Sequence, residues 1–110
     1  MDLTGRCLCR SMTFSVSGAV VSTGHCHCES CRRATSSPVT TFFCVAAGDV
    51  AFKGETLRHY ASSPGVRRGF CGNCGSPMSY ESEKRPGIVD LYVASLDDAT
   101  GVEITQHGFW

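Results

Sequence analysis

Cysteines in short clusters are the residues of this chain that could do chemistry. Seven of the eight cysteines form a Cys-x-Cys pair (Cys7, Cys9), a Cys-x-Cys-x-x-Cys triplet (Cys26, Cys28, Cys31) and a Cys-x-x-Cys pair (Cys71, Cys74). Thiolates at such spacings are typical zinc ligands, whereas disulfide frameworks belong to oxidising compartments. The clustering therefore favours metal binding over a disulfide framework or a dedicated redox role.

The two pairs together would supply the ligands of one closed site, which we call the four-cysteine cluster. Structural zinc takes four ligands in a tetrahedron, usually thiolates or imidazoles. Joining Cys7 and Cys9 to Cys71 and Cys74 would connect the first strand to a late one, and a small core needs such a cross-link. Gly75 follows the second pair and can adopt a positive φ, which would let the chain curl around an ion.

The remaining three cysteines, which we call the cysteine triplet, provide one ligand fewer than a closed zinc site needs. Three protein ligands and an open fourth position are the arrangement of catalytic zinc. Two alternatives stay open at this point. His25, His27 or His107 could complete the site and make it structural, or the seven cysteines could be divided differently between two ions.

Few other side chains in the sequence suggest chemistry. Arg32 and Arg33 follow the triplet, and Arg67 and Arg68 precede the second pair. Guanidinium groups near an open zinc position could hold substrate carboxylates. Cys44 lies in an apolar run and is expected in the core. The carboxylates of Glu29, Asp97 and Asp98 are expected to be exposed in turns. The rings of Tyr60, Tyr80 and Tyr92 are expected to pack against other residues.

Length and composition indicate one small domain spanning residues 1–110. The chain has 42% hydrophobic residues, and its ten Lys and Arg balance ten Asp and Glu. This balance argues against nucleic acid or an acidic membrane surface as a partner. The N-terminal stretch lacks the apolar segment of a secretion signal, and no run is long enough to span a membrane. We therefore expect a cytoplasmic protein; its oligomeric state does not follow from the sequence.

The elements that must position the cysteines are mainly short β-strands. Alternating or β-branched runs bounded by turn residues predict strands at residues 12–17, 39–45, 50–53, 57–60, 67–70, 77–82 and 88–94. Segments 39–45 and 50–53 look like one hairpin and segments 57–60 and 67–70 like another, the second leading into Cys71. A single helical turn is predicted at residues 29–34. The fold class is therefore mainly β, with short antiparallel strands around two metal sites.

The order and spacing of these landmarks resemble the glutathione-dependent formaldehyde-activating enzyme family, which also includes centromere protein V. The resemblance is carried by Gly5, Cys7, Cys9, Phe14, residues 26–33 (CHCESCRR), Phe42, Phe43, residues 70–77 (FCGNCGSP) and residues 94–98 (ASLDD). These positions cover nearly the whole chain. One departure is Arg10, where the family commonly has glycine.

The resemblance implies a β-tent domain with two zinc ions, one structural on the four-cysteine cluster and one catalytic on the triplet. The implied activity is that of a carbon–sulfur lyase that combines glutathione, or a related small thiol, with formaldehyde or another small aldehyde to give S-hydroxymethylglutathione or an analogue. Arg32 and Arg33 are the candidates for binding the glutathione carboxylates. A non-catalytic zinc-binding scaffold and a thiol- or metal-sensing domain are the alternative functions.

Overall fold

The computed structural model describes residues 3–100, residue 102 and the backbone of His107–Gly108. In chain order its regular elements are β1 (Leu3–Arg6), β2 (Thr13–Val16), β3 (Ser22–Cys26), α1 (Glu29–Thr35), β4 (Thr40–Ala46), β5 (Val50–Lys53), β6 (Leu57–Ser63), β7 (Val66–Cys71), β8 (Pro77–Ser82), β9 (Ile88–Tyr92) and β10 (His107–Gly108). Two 3-10 turns, Ala47–Asp49 and Val93–Ser95, follow β4 and β9. The prediction of a mainly-β chain with one short helix is confirmed.

The strands of the described residues form two sheets. The smaller sheet has the order β1-β2-β5, and the larger has the order β10-β3-β4-β9-β8-β7-β6. Neighbouring strands run antiparallel, except that β10 pairs with β3 in parallel. Within the described ranges, no helix is long and apolar enough to cross a membrane.

One predicted hairpin is confirmed and the other is wrong. Strands β6 and β7 pair directly, with Leu57 opposite Cys71. Strand β4, in contrast, pairs with β3 and β9, whereas β5 pairs with β2 in the smaller sheet. The 3-10 turn at Ala47–Asp49 carries the chain between the sheets. Phe43, Cys44 and Val45 are all buried, so β4 has apolar residues on both faces and fits the middle of the larger sheet.

The core lies between the two sheets and includes members of the four-cysteine cluster. Buried residues of this core are Cys7, Met12, Phe14, Val16, Phe43, Val45, Cys71, Met78, Val89 and Leu91. The alternation predicted for β2 is observed, since Phe14 and Val16 are buried between exposed or half-buried neighbours. A Cβ added to Gly5 would clash with the Phe14 ring and with the backbone carbonyl of Ser95. Glycine is therefore required where β1 crosses this aromatic side chain.

Candidate metal centres

The four-cysteine cluster forms where β1 and β7 end. Cys7 and Cys9 lie in the turn between β1 and β2, and Cys71 is the last residue of β7. The four sulfurs all lie within 4.8 Å of one another, with Cys7 Sγ 3.7 Å and Cys71 Sγ 3.8 Å from Cys9 Sγ. Zinc–sulfur bonds of about 2.3 Å in a tetrahedron separate two sulfurs by about 3.8 Å. The four-cysteine cluster thus fits one tetrahedral ion.

Neutral hydrogen-bond donors surround these sulfurs. Hydroxyls of Ser11 and Thr56 each lie 3.3 Å from Cys71 Sγ, and the Asn73 amide donates to Cys9 Sγ at 3.1 Å. Hydrogen bonds from Ser11 and Thr56 lower the pKa of Cys71 to about 5, and those from Ser11 and Asn73 lower the pKa of Cys9 to about 7. The surroundings of Cys71 and Cys9 therefore favour thiolates, the form that binds metal.

Two turns with positive φ shape this cluster. Gly75 has φ +80° as expected, and its N–H donates to the Cys71 carbonyl at 2.7 Å. Arg10, in the turn after the first pair, has φ +73°. This left-handed conformation is the one that glycine adopts without strain. The departure from the family pattern at Arg10 therefore leaves the turn in the glycine-like conformation.

The cysteine triplet forms where β3 meets α1. Cys26 ends β3, Cys28 is the N-cap of α1, and Cys31 lies in the first turn of the helix. The Cys28 sulfur accepts the Cys31 N–H at 3.3 Å and lies 3.3 Å from the Cys26 sulfur. All three sulfurs lie within 4.8 Å of one another. The triplet could therefore hold one metal ion by three ligands.

The pKa values of two triplet thiols are shifted in opposite directions, one by burial and the other by hydrogen bonding and charge. Burial raises the pKa of Cys26 to about 12. Burial also opposes ionisation of Cys28, but the Cys31 N–H and the positive charge of Arg68 hold the pKa of Cys28 below its usual value. Proton loss from Cys26 must therefore accompany metal binding at neutral pH.

The structure keeps the two clusters apart, and among the described residues no histidine nitrogen or carboxylate oxygen joins either group of sulfurs. His25 Nδ1 lies 2.8 Å from the Thr41 hydroxyl. The His107 side chain lies outside the described residues. Of the fourth ligands considered from the sequence, neither His25 nor His27 is grouped with the triplet sulfurs.

The triplet faces a cavity of about 600 Å³. Its wall contains all three triplet cysteines and the charged side chains of Arg68, Lys84, Arg85 and Asp90; apolar and hydroxyl-bearing residues such as Phe42, Tyr80 and Tyr92 complete it. A second cavity, of about 670 Å³, adjoins Cys7 and shares Thr40 and Tyr92 with the first. Only the first of these two cavities is lined by the triplet, so we assign it as the candidate ligand site.

The arginines nearest the triplet in sequence are not those that line this cavity. Arg32 and Arg33 are exposed on α1, and Arg33 pairs with Glu29 at 3.7 Å. Arg67 pairs with Glu81 at 3.2 Å. Arg68 lines the cavity and is only 9% exposed. Side chains alternate between the two faces of β7, so Arg67 and Arg68 lie on opposite faces. This alternation could have predicted that only one of the two faces the protein interior.

A charged pair in the cavity wall was not predicted from the sequence. Asp90 is buried in β9 and accepts a 2.6 Å hydrogen bond from Arg85. Arg85 also lies 3.6 Å from the sulfur of Cys44, which is buried as predicted but also lines the cavity. Tyr60 is 65% exposed, so its expected packing is wrong. No sequence pattern pointed to Arg85, because it lies in an exposed turn.

Comparisons with known proteins place this chain in one family. Residues 2–110 match the profile of the family described as "Glutathione-dependent formaldehyde-activating enzyme". An uncharacterised lyase of Schizosaccharomyces pombe is 33% identical over 94 residues, which cover 84% of this chain and 68% of that protein.

A solved structure shows the same fold. The crystal structure of a Rhodobacter sphaeroides protein superposes with a TM-score of 0.72 at 19% identity, covering 96% of this chain and 99% of the other. At this identity the likeness concerns the fold alone. The profile match and the fungal relative, taken with the two cysteine clusters, show that this chain belongs to the glutathione-dependent formaldehyde-activating enzyme family.

Proposed function

We propose that this protein is a zinc-dependent enzyme of the carbon–sulfur lyase type that condenses glutathione with formaldehyde to S-hydroxymethylglutathione. The observation that carries the proposal is the triplet itself: three sulfurs within 4.8 Å of one another, in the wall of a cavity, with no fourth ligand grouped with them in the described part of the chain. Family membership and the name of the fungal relative as a lyase support the same reaction class.

The donor set of the triplet fits zinc. Three cysteine sulfurs and one open position match catalytic zinc sites, and oxygen-preferring ions such as magnesium are poor matches for thiolates. When bound, zinc would supply a Lewis acid at the open position. The four-cysteine cluster would hold a second, structural zinc, because its four sulfurs leave no position open.

The reaction forms one carbon–sulfur bond without any change of net oxidation state. The thiol sulfur adds to the aldehyde carbon, the carbon–oxygen double bond becomes single, and the thiol proton ends on the oxygen. Tyr92 is our candidate for delivering that proton, because it lines the cavity beside the triplet. Burial raises the pKa of Tyr92, so its hydroxyl keeps a proton at neutral pH.

Two cations in the cavity wall support a thiol that carries carboxylates. Lys84 and Arg85 line the cavity from the turn before β9, and Arg85 also pairs with Asp90. Guanidinium and ammonium groups bind carboxylates by charge-assisted hydrogen bonds. We propose Lys84 and Arg85 for this role. The assignment of Arg32 and Arg33 made from the sequence stays a prediction, because both are exposed on α1 outside the cavity lining.

The test is to follow exchange between ¹³C-formaldehyde and S-hydroxymethylglutathione by NMR with the zinc-loaded protein. We expect acceleration by the native protein and none by Cys28→Ser, which lacks a triplet ligand. Tyr92→Phe should retain zinc and lose about 100-fold in rate, the lower range for a general acid. Equal exchange with the native protein and Cys28→Ser would overturn the enzymatic function and favour a zinc-binding scaffold.

A further inference from the structure

Arg68 is a buried cation in contact with the cysteine triplet. Its Nη2 donates to Ser30 Oγ at 3.0 Å and to Cys31 Sγ at 3.7 Å. Its Nε donates to Ser62 Oγ at 3.3 Å, and its guanidinium carbon lies 4.8 Å from the centre of the Tyr80 ring. These contacts fix the guanidinium between β6, β8 and the first turn of α1.

The charge of Arg68 is only partly compensated. Among the residues that the structure describes, no carboxylate lies within ion-pairing distance of it, and Nη1 is buried without a hydrogen-bond partner. Burial of an unpaired charge is costly unless an anion lies nearby. The sulfur of Cys31 is the candidate anion in contact, and the cavity offers room for another.

We propose that Arg68 is a positioning residue that enables the triplet to accept a fourth, anionic sulfur. Three thiolates already outnumber the two positive charges of a zinc ion, so another thiolate adds to an excess of negative charge. The guanidinium offsets that excess through its hydrogen bond to Cys31. This inference rests on the proposed function, since it takes a thiol as the ligand of the triplet.

A direct role for Arg68 as a carboxylate clamp makes a different prediction. A clamp would contact the distant carboxylate of a substrate and would leave a thiol without a carboxylate unaffected. A residue that offsets charge at the triplet acts on every thiolate equally, whatever else the ligand carries. A purely structural residue would affect anionic and neutral ligands alike.

The experiment uses protein with Co²⁺ in place of zinc and measures ligand dissociation constants from the visible absorption of the ion. The ligands are 2-mercaptoethanol, 3-mercaptopropionate and neutral imidazole. The variants are Arg68→Met, which keeps the length of the side chain without its charge, and Arg68→Lys, which keeps the charge without the planar donor. Arg67→Met is the matched control, because its side chain is 56% exposed and pairs with Glu81.

We expect Arg68→Met to bind both thiols roughly 10- to 100-fold more weakly, the range for a hydrogen bond to a charged group. Imidazole binding should change less than threefold, Arg68→Lys should be intermediate, and Arg67→Met should match the native protein. Should Arg68→Met fail to fold, the comparison of Arg68→Lys with the native protein retains the same thiol-against-imidazole test.

Three results would overturn the inference. Loss confined to 3-mercaptopropionate would make Arg68 a carboxylate clamp, equal loss for imidazole would make it structural, and unchanged thiol binding would leave it no role at the triplet. Failure of the proposed function is distinguishable from all three. In that case the native Co²⁺ protein itself would bind neither thiol.

Discussion

The two cysteine clusters share their ligand type and differ in what surrounds it. Hydroxyl and amide donors from Ser11, Thr56 and Asn73 surround the four-cysteine cluster. Among the described residues the triplet has one charged donor, Arg68, and it opens on a cavity of about 600 Å³. Neutral donors and four sulfurs suit an ion that stays in place. A cation and a free coordination position suit an ion that must accept another ligand.

The two clusters also differ in which parts of the chain they connect. The four-cysteine cluster joins the turn after β1 to the end of β7, segments more than sixty residues apart, and two of its sulfurs belong to the buried core. The triplet joins only residues 26–31. A metal ion therefore constrains far more of the fold at the first cluster than at the second.

Removal of one ligand from each cluster should give the largest contrast. We expect Cys71→Ser to unfold or become insoluble, because structural zinc contributes an apparent free energy of about 10 kcal/mol or more. Cys28→Ser should stay folded with one metal ion per chain. Circular dichroism and elemental analysis of both variants would measure this. Similar loss of folding in the two proteins would mean that both clusters are structural.

Lowering the pH should release metal from the two clusters one after the other, first from the triplet. The pKa of Cys26 is raised to about 12 by burial, whereas hydrogen bonds lower those of Cys71 and Cys9 to about 5 and about 7. Burial also raises the pKa of Cys7, so each cluster holds one thiol that resists ionisation. Protons compete with metal as the pH falls, and they compete more weakly for the two stabilised thiolates. Metal binding is complete at high pH and should fail first at the triplet.

A stepwise acid titration with a chromophoric chelator would resolve the two releases. The Cys28→Ser protein serves as the control, since it should show only the release at lower pH. A first release from the four-cysteine cluster, accompanied by unfolding while the triplet keeps its metal, would reverse the order that we expect.

Small gains in stability are expected at two non-glycine residues with positive φ, Arg10 and Ser36, in the described part of the chain. Arg10 has φ +73° near the first cluster, and Ser36 has φ +54° at the end of α1. Glycine at either position should stabilise the fold by about 1 kcal/mol, because it relieves the left-handed conformation. Thermal unfolding of Arg10→Gly and Ser36→Gly would measure the gain, with Arg10→Ala as a control that keeps a Cβ. A gain in the alanine variant of equal size would point to loss of charge instead.

The positions of several strands could be predicted from the sequence, whereas their pairing could not. The periodicity around Phe14 predicted β2, and the β-branched run after Val39 predicted β4. The same pattern could not show which sheet β5 joins, because strand pairing depends on distant neighbours. The turn residues Gly48 and Asp49 suggested a hairpin, but a turn there also permits a crossing to the other sheet. The arginines illustrate the same limit, since Arg67 and Arg68 are adjacent in sequence but only Arg68 lines the cavity.

By itself, the sequence determined the three short cysteine motifs, because ligands a few residues apart meet in local turns. The structure decided that the two pairs meet in one cluster and that the triplet stays separate. The positive φ of Gly75 could also be predicted from the sequence, because it depends on the local backbone. Tertiary structure alone decided what faces the open side of the triplet. Arg68 belongs to β7, and Asp90 and Tyr92 belong to β9, two strands that are distant from Cys31 in sequence. Only the pairing of β7, β8, β9 and β4 brings them to one cavity, because local residue patterns carry no information on which distant strands become neighbours.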